Sequence, residues 1–291
     1  MTATPAEGPP PDRDLPAFRP VPVDPAAVKP CVVQAPIVAT EQVGDRYWVL
    51  RLTATEVAAG SRPGQFVMIS LGAPDESLIT LPRPIAVYDT DPAAGTVDLC
   101  IGVVGPGTKR LAGLEPGDVA TVVGPLGRSF PLPNGGGRLL LVGRGIGVCS
   151  LTDLARAARG RGVDVTAVVS GRKPSALIGV DVLERHGVDP VVTVIDEDGS
   201  SAVGALAADL ERRVGDDPPS VVATCGSERL LQLSSRLAAG WGARLYTSVE
   251  EHMACGLGYC HSCALPSVAL GREGPLVCAD GPVFQVDTGR P

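Results

Sequence analysis

Cys255, Cys260 and Cys263 stand at C-x4-C-x2-C, and Cys278 follows after a stretch of hairpin length, Ala264 to Val277. Four thiols in so short a segment constrain the chain more than any other feature, because they must share a ligand or lie idle. The opening spacing is that of plant-type [2Fe–2S] sites, in which four thiolates hold two irons. A loop of this kind must fold tightly and aim its backbone N–H groups at sulfur. Gly256 and Gly258 can do so, since glycine takes positive φ without strain. A structural zinc site is the alternative, although zinc more naturally uses two C-x2–4-C pairs than a three-plus-one set. Read as a thioredoxin-like pair, Cys260 and Cys263 would need a βαβ setting and would leave Cys255 and Cys278 without a role. His252 and His261 are conceivable Rieske-type ligands, but four cysteines already complete the set, so both are read as bystanders.

With 291 residues the chain has room for two domains and an appendage. Aromatic residues make up only 3% of it, so its cores must be built from Val, Leu, Ile and Ala. The net charge of −7 argues against a nucleic-acid binder, which would carry a basic patch. No apolar run is long enough to span a bilayer. Residues 1–25 are rich in Pro, Ala and Asp and lack the apolar core of a signal peptide. Eight cysteines, half of them in one segment, fit a reducing compartment better than a disulfide scaffold, and a cytoplasmic protein is expected. Cys31, Cys100 and Cys149 lie in apolar surroundings and read as small core residues.

Residues 1–27 read as a disordered tail, with Pro repeats and nothing to bury. From 28 to 133 short β-type runs are set off by Gly, Pro and Asp: Val32–Ala39, Tyr47–Ala54, Gln65–Leu71, Ile85–Asp89, Thr96–Val104 and Val119–Gly124. That rhythm predicts an antiparallel barrel or sandwich. From 134 to 247 strands alternate with helices. Apolar runs at Leu139–Val142, Val163–Ser170, Val191–Asp196, Ser220–Cys225 and Ala243–Val249 are separated by helical patterns at Val148–Gly160, Ala176–Arg185, Ala202–Val214 and Glu228–Gly240. This alternation predicts a parallel, doubly wound sheet. Residues 248–291 form the cysteine segment.

The run Met253-Ala-Cys255-Gly-Leu-Gly-Tyr-Cys260-His-Ser-Cys263, followed by Val277-Cys278-Ala-Asp280-Gly281-Pro282-Val283-Phe284, resembles the electron-transfer subunits of dihydroorotate dehydrogenase B. That family belongs to the ferredoxin-reductase-like flavoproteins, and the resemblance covers nearly the whole chain after the tail. It implies an FAD-binding β-barrel, a nicotinamide-binding α/β domain and a small C-terminal [2Fe–2S] segment with Cys255, Cys260, Cys263 and Cys278 as ligands.

On the flavin side, Arg83-Pro84-Ile85-Ala86 resembles the family's FAD motif, with Ala86 where Ser is more usual. Pro84 fixes φ, Arg83 offers a charged fork for a pyrophosphate, and the following backbone passes the flavin ring. The strand Cys100-Ile101-Gly102 would run along the same ring, and Gly107 and Thr108 would open a helix whose N–H groups face phosphate. Pro63-Gly64-Gln65-Phe66 and Gly124-Pro125-Leu126-Gly127 match turns of this group, while nothing assigns a role to Arg128. On the nicotinamide side, Gly143-Arg144-Gly145-Ile146-Gly147 passes from strand to helix as a pyrophosphate loop does. Arg144 replaces a family glycine and would either clash with a cofactor or add a phosphate contact. Cys225-Gly226 resembles the family's Cys-Gly-Pro beside the nicotinamide. Arg172 after the second strand would favour NADP, but the resemblance ranks NAD first. Glu197-Asp198-Gly199-Ser200 reads as a structural turn.

No side-chain set for acid–base or nucleophilic catalysis is legible, so the chemistry belongs to cofactors. The resemblance implies an electron-transfer subunit that acts with a separate FMN-containing catalytic subunit, in a heterotetramer. Dihydroorotate is oxidised to orotate on that partner, a step of pyrimidine biosynthesis, and electrons pass through cluster and FAD to NAD(H). A related reductase serving another partner, such as a hydrogenase or a ferredoxin-dependent enzyme, is the first alternative. A non-enzymatic binding protein that keeps the fold is the second.

Overall fold

The computed structural model describes residues 17–71, 81–133, 137–266 and 273–288. Its first body is a closed antiparallel barrel. The six strands are β2 (Cys31–Gln42), β3 (Tyr47–Thr53), β4 (Phe66–Ser70), β5 (Arg83–Asp91), β6 (Thr96–Gly102) and β7 (Val119–Leu126), ordered β2-β3-β6-β5-β4-β7; strand β1 (Phe18–Pro20) lies elsewhere. Alternation sets which side chains point inward. On β3, Leu50 and Leu52 are fully buried while Arg51 between them turns out, and on β6 Val97, Leu99 and Ile101 fill the interior. Closure leaves no exposed sheet edge. The helix α1 (Thr55–Gly60) buries Val57 and Ala58, and α2 (Pro106–Ala112) buries Leu111.

The second body is a parallel sheet of β8 (Arg138–Arg144), β9 (Asp164–Gly171), β10 (Val191–Ile195), β11 (Val221–Cys225) and β12 (Arg244–Ser248). The crossovers are α3 (Cys149–Arg159), α4 (Val180–Arg185), α5 (Val203–Val214) and α6 (Glu228–Trp241). The apolar run on β8 serves both faces, as expected of a sheet covered on each side. Leu139 and Leu141 pack with Leu151, Leu154 and Ala158 of α3, whereas Leu140 and Val142 share a core with Leu210 of α5 and Leu237 of α6. The helical stretch expected at Ala176–Arg185 begins later. Pro174–Ala176 forms a 3-10 turn, and Gly179, at φ +78°, breaks the path before α4.

Two further strands extend this sheet. The cysteine segment carries α7 (Val277–Asp280) and then β13 (Val283–Val286), which pairs antiparallel with β12. On the outer side of β13 lies β1 (Phe18–Pro20), also antiparallel, with Phe18 opposite Val286. Part of the stretch expected to be a disordered tail is therefore a strand, while residues 1–16 lie outside the described residues. The reason is local. β13 would otherwise present an open edge, and the chain covers it with a Phe18–Phe284 ring contact at 5.9 Å and an Arg19–Asp287 ion pair at 2.5 Å. Val21, just beyond, is buried in the core beneath the sheet.

Phe284 is fully buried among Phe66, Met68 and Leu126 of the barrel and Cys263, Leu265, Val277 and Cys278 of the C-terminal segment. Truncating it removes an aromatic side chain where the barrel and the segment meet. Phe284→Ala is expected to cost about 3–5 kcal/mol, read as a lowered midpoint in denaturant unfolding; an unchanged midpoint would show that this core does not hold the segment.

Candidate functional site

The cysteine loop lies against the barrel. Gly256, at φ +70°, sits so close that a Cβ there would stand 2.5 Å from Met68 Cγ, and Gly258 has φ +75°. These left-handed turns point N–H groups inward. Leu257 N–H and Cys260 N–H donate to Cys255 Sγ at 3.4 and 3.5 Å, Gly258 N–H to Cys278 Sγ at 3.1 Å, and Cys278 N–H to Cys263 Sγ at 3.5 Å. Cys263 and Cys278 are buried while Cys260 is exposed. The Cys260 thiol is pulled down to about 6 by hydrogen bonds from Ser262 and Cys255. Among the described residues no three His, Cys, Asp or Glu side chains are gathered around a single ion point. Two of the N–H bonds to sulfur join cysteines, Cys260 N–H to Cys255 Sγ and Cys278 N–H to Cys263 Sγ. An all-sulfur donor set ringed by N–H groups fits an iron–sulfur cluster, whose sulfurs are tuned by such hydrogen bonds. Two histidines have carboxylate partners, and the third, His252, lines the neighbouring cleft. His261 Nδ1 is 2.7 Å from Glu273, and His186 Nε2 is 3.1 Å from Asp89. Arg128, for which the sequence offered no role, fastens the segment to the barrel: its backbone N–H donates to Gly281 O at 2.5 Å and its Nε to Ala279 O at 3.0 Å.

Beside the loop opens a cleft of about 480 Å³ between barrel and sheet. Arg83, Pro84, Ile85 and Ala86 line it from β5, Cys100 and Gly102 from β6, and Thr108 from α2. Gly107 leaves the space that the Arg83 guanidinium fills, since a Cβ there would fall 2.4 Å from Arg83 Nη2. The guanidinium also donates to Leu81 O. Ile101, between Cys100 and Gly102, is fully buried among the barrel's core side chains. The Thr108 hydroxyl closes its own turn, accepting from Val104 and Gly105 N–H at 3.0 and 3.2 Å and donating to Gly105 O.

The glycine loops meet on the opposite wall. The sheet order β10-β9-β8-β11-β12 reverses direction between β8 and β11, and ligands of open α/β sheets bind at that switch point beyond the carboxyl ends of the strands. Gly145 and Gly147 follow β8, Cys225 ends β11 and Gly226 follows it. The loops touch. A Cβ on Gly147 would stand 2.7 Å from the Cys225 carbonyl and from Gly226 Cα, and one on Gly226 2.4 Å from Arg144 O. Gly143 packs against Val148, where a Cβ would come within 2.8 Å of Cγ2. Arg144 neither enters the cleft nor blocks it. Its Nη1 donates to Ser170 Oγ at 2.9 Å, and its Nη2 pairs with Asp196 at 2.6 Å, across the ends of β9 and β10. With Ser201 it holds the Asp196 carboxyl well below the usual carboxylate range.

Several cleft residues lie outside the motifs read from the sequence: Arg46, Cys149, Ser150 and the connection Ser248–His252. Only the last had a signal in the sequence, since it directly follows a strand that ends beside the switch point. Its Glu250 lies 4.0 Å from Cys225 Sγ, which in turn lies 3.8 Å from Ser150 Oγ, and burial pushes the Cys225 thiol up. Gly147→Ala forces a Cβ against backbone that cannot yield. It is expected to cost about 1–3 kcal/mol in unfolding free energy, and wild-type stability in this variant would contradict the close approach of the loops.

The segment 250–288 matches the family model described as the iron-sulfur cluster binding domain of dihydroorotate dehydrogenase B. The chain is 32% identical over 256 residues to the dihydroorotate dehydrogenase B (NAD(+)) electron transfer subunit of Listeria monocytogenes serotype 4b, covering 86% of this chain and 96% of the relative. It is 33% identical to the protein of that name from Geobacillus thermodenitrificans, covering 86% and 95%. Among solved structures it is similar to a chain of NADH-dependent reduced ferredoxin-NADP oxidoreductase, at TM-score 0.72 and 27% identity, covering 88% of this chain and 90% of that one. Phthalate dioxygenase reductase, at TM-score 0.57 and 17% identity over 77% of this chain and 70% of its own, shares the fold.

Proposed function

The chain belongs to the family of dihydroorotate dehydrogenase B electron transfer subunits, and on that premise we propose that it carries electrons between a partner dehydrogenase and NAD through FAD and a [2Fe–2S] cluster. In this reading residues 28–133 are the flavin-binding barrel, 134–247 the nicotinamide domain and 248–291 the cluster segment. The observation that carries it is the sulfur-only loop, whose four cysteines all fall within the matched segment 250–288. Among the described residues no helix is long and apolar enough to cross a membrane.

Bound FAD supplies the conversion between the paired electrons of nicotinamide and the single electrons of an iron–sulfur cluster. The chain's own residues do the placing. Arg83, seated over Gly107, offers a planar fork to the flavin pyrophosphate. The backbone of Pro84, Ile85 and Ala86, with that of Cys100, Ile101 and Gly102, forms the wall along which the ring lies. Ala86 brings no hydroxyl, so main-chain groups and the neighbouring residues set the polarity there. Gly145, Gly147, Cys225 and Gly226 let a dinucleotide approach at the switch point. Cys255, Cys260, Cys263 and Cys278 hold the cluster, and their N–H donors stabilise negative charge on sulfur.

The relatives' name, an electron transfer subunit, implies a separate catalytic partner. Substrate oxidation is therefore assigned to a separate FMN-containing subunit, in a heterotetramer, with orotate as product. The likeness to the ferredoxin-NADP oxidoreductase supports a second reading, a subunit of the same build serving another redox enzyme. Purification with an FMN dehydrogenase supports the first reading, and recovery with a different redox enzyme supports the second. Cys260→Ser is expected to remove the iron–sulfur absorbance and EPR signal while FAD content stays at the wild-type level. An undiminished cluster signal would refute Cys260 as a ligand.

A further inference from the structure

A nicotinamide dinucleotide brings a doubly charged pyrophosphate into a cleft whose rim carries Glu250 and Glu251. Some cation must offset that charge. The obvious candidate from the sequence, Arg144, is engaged by Asp196 and Ser170 and does not line the cleft. The arginines that do line it are Arg83 and Arg46. Arg83 is committed to the flavin side, over Gly107 and bonded to Leu81 O.

Arg46 differs in three respects. It forms no ion pair among the described residues, and the acid next to it, Asp45, is taken by Lys173 and by Ser175 Oγ at 3.0 Å. Its guanidinium carbon lies 5.6 Å from the centroid of the Tyr47 ring, which orients the group without neutralising it. Tyr47 in turn reaches the glycine loop, since a Cβ on Gly145 would stand 3.3 Å from its hydroxyl oxygen. Among the described residues, the cleft's arginine without an ion pair is thus one side chain from the loop at the switch point, although it belongs to the barrel.

We propose that Arg46 positions the pyrophosphate of the nicotinamide dinucleotide, so that the flavin domain supplies the charge that the glycine loop lacks. This rests on reading the cleft as the shared FAD and nicotinamide site. It also makes dinucleotide binding depend on the two bodies being held together, because cation and loop come from different ones.

The test uses the FAD-loaded protein with NADH and ferricyanide as acceptor. Arg46→Ala is expected to raise KM for NADH about tenfold or more, as loss of one charge-assisted contact does, with kcat little changed. Inhibition by ADP-ribose should weaken by a similar factor, and Arg46→Lys should recover much of the loss. An unchanged KM overturns the inference. Loss of FAD on gel filtration also overturns it, by assigning Arg46 to the flavin's pyrophosphate instead. A wild-type protein that holds FAD but ignores NADH would sink the underlying reading of the cleft; NADH use by wild type and variant alike sinks this inference alone.

Discussion

The fully buried ring of Phe284 sits where the barrel strands β4 and β7, the cysteine segment and the outer strands of the sheet come together. The rest of the molecule depends on that contact. Removing one large aromatic side chain from water stabilises by roughly 1.5–3 kcal/mol, and here a single ring serves several elements at once. It holds β13 against β12, gives Phe18 a surface to cover, and backs the helix that carries Cys278. Together with the Arg128 bonds to Gly281 and Ala279, it keeps the cysteine segment against the barrel.

A second set of contacts fixes the cleft itself. Thr152 of α3 donates to Tyr88 O of β5, His186 meets Asp89, and Lys173 meets Asp45 across the same seam. Between them lies a buried apolar cluster of Tyr47, Tyr88, Cys100, Cys149, Ile178 and Val182 drawn from both bodies. Asp153 is nearly fully buried there beside Arg156; burial pushes its carboxyl up while the guanidinium pulls the other way. Exposed ion pairs contribute little to stability, so the apolar cluster supplies most of the adhesion and the polar pairs fix the register. The seam matters for function because β5 begins with the Arg83 motif and α3 begins just after the glycine loop.

The six barrel strands and the alternating sheet were legible because Gly, Pro and Asp punctuate them and because each strand's pattern matches its burial. The cysteine loop was legible because thiol spacing is chemistry rather than packing. Side-chain direction was not. Whether Arg144 entered the cleft depended on Asp196 and Ser170, which are distant in sequence and become neighbours only at the ends of β9 and β10. That the Thr108 hydroxyl bonds within its own turn was likewise not legible. Phe18–Pro20 was hidden by the Pro-rich composition around it, and its partner strand is only four residues long. Arg46 bears no motif at all, since its place in the cleft comes from barrel closure and domain docking.

The most direct test is spectroscopic. The protein is purified anaerobically, its released flavin identified, and its visible and EPR spectra recorded before and after addition of NADH. Bleaching of FAD absorbance together with the appearance of a reduced [2Fe–2S] signal is the predicted result. Zinc in place of iron and no cluster signal in any state would contradict it.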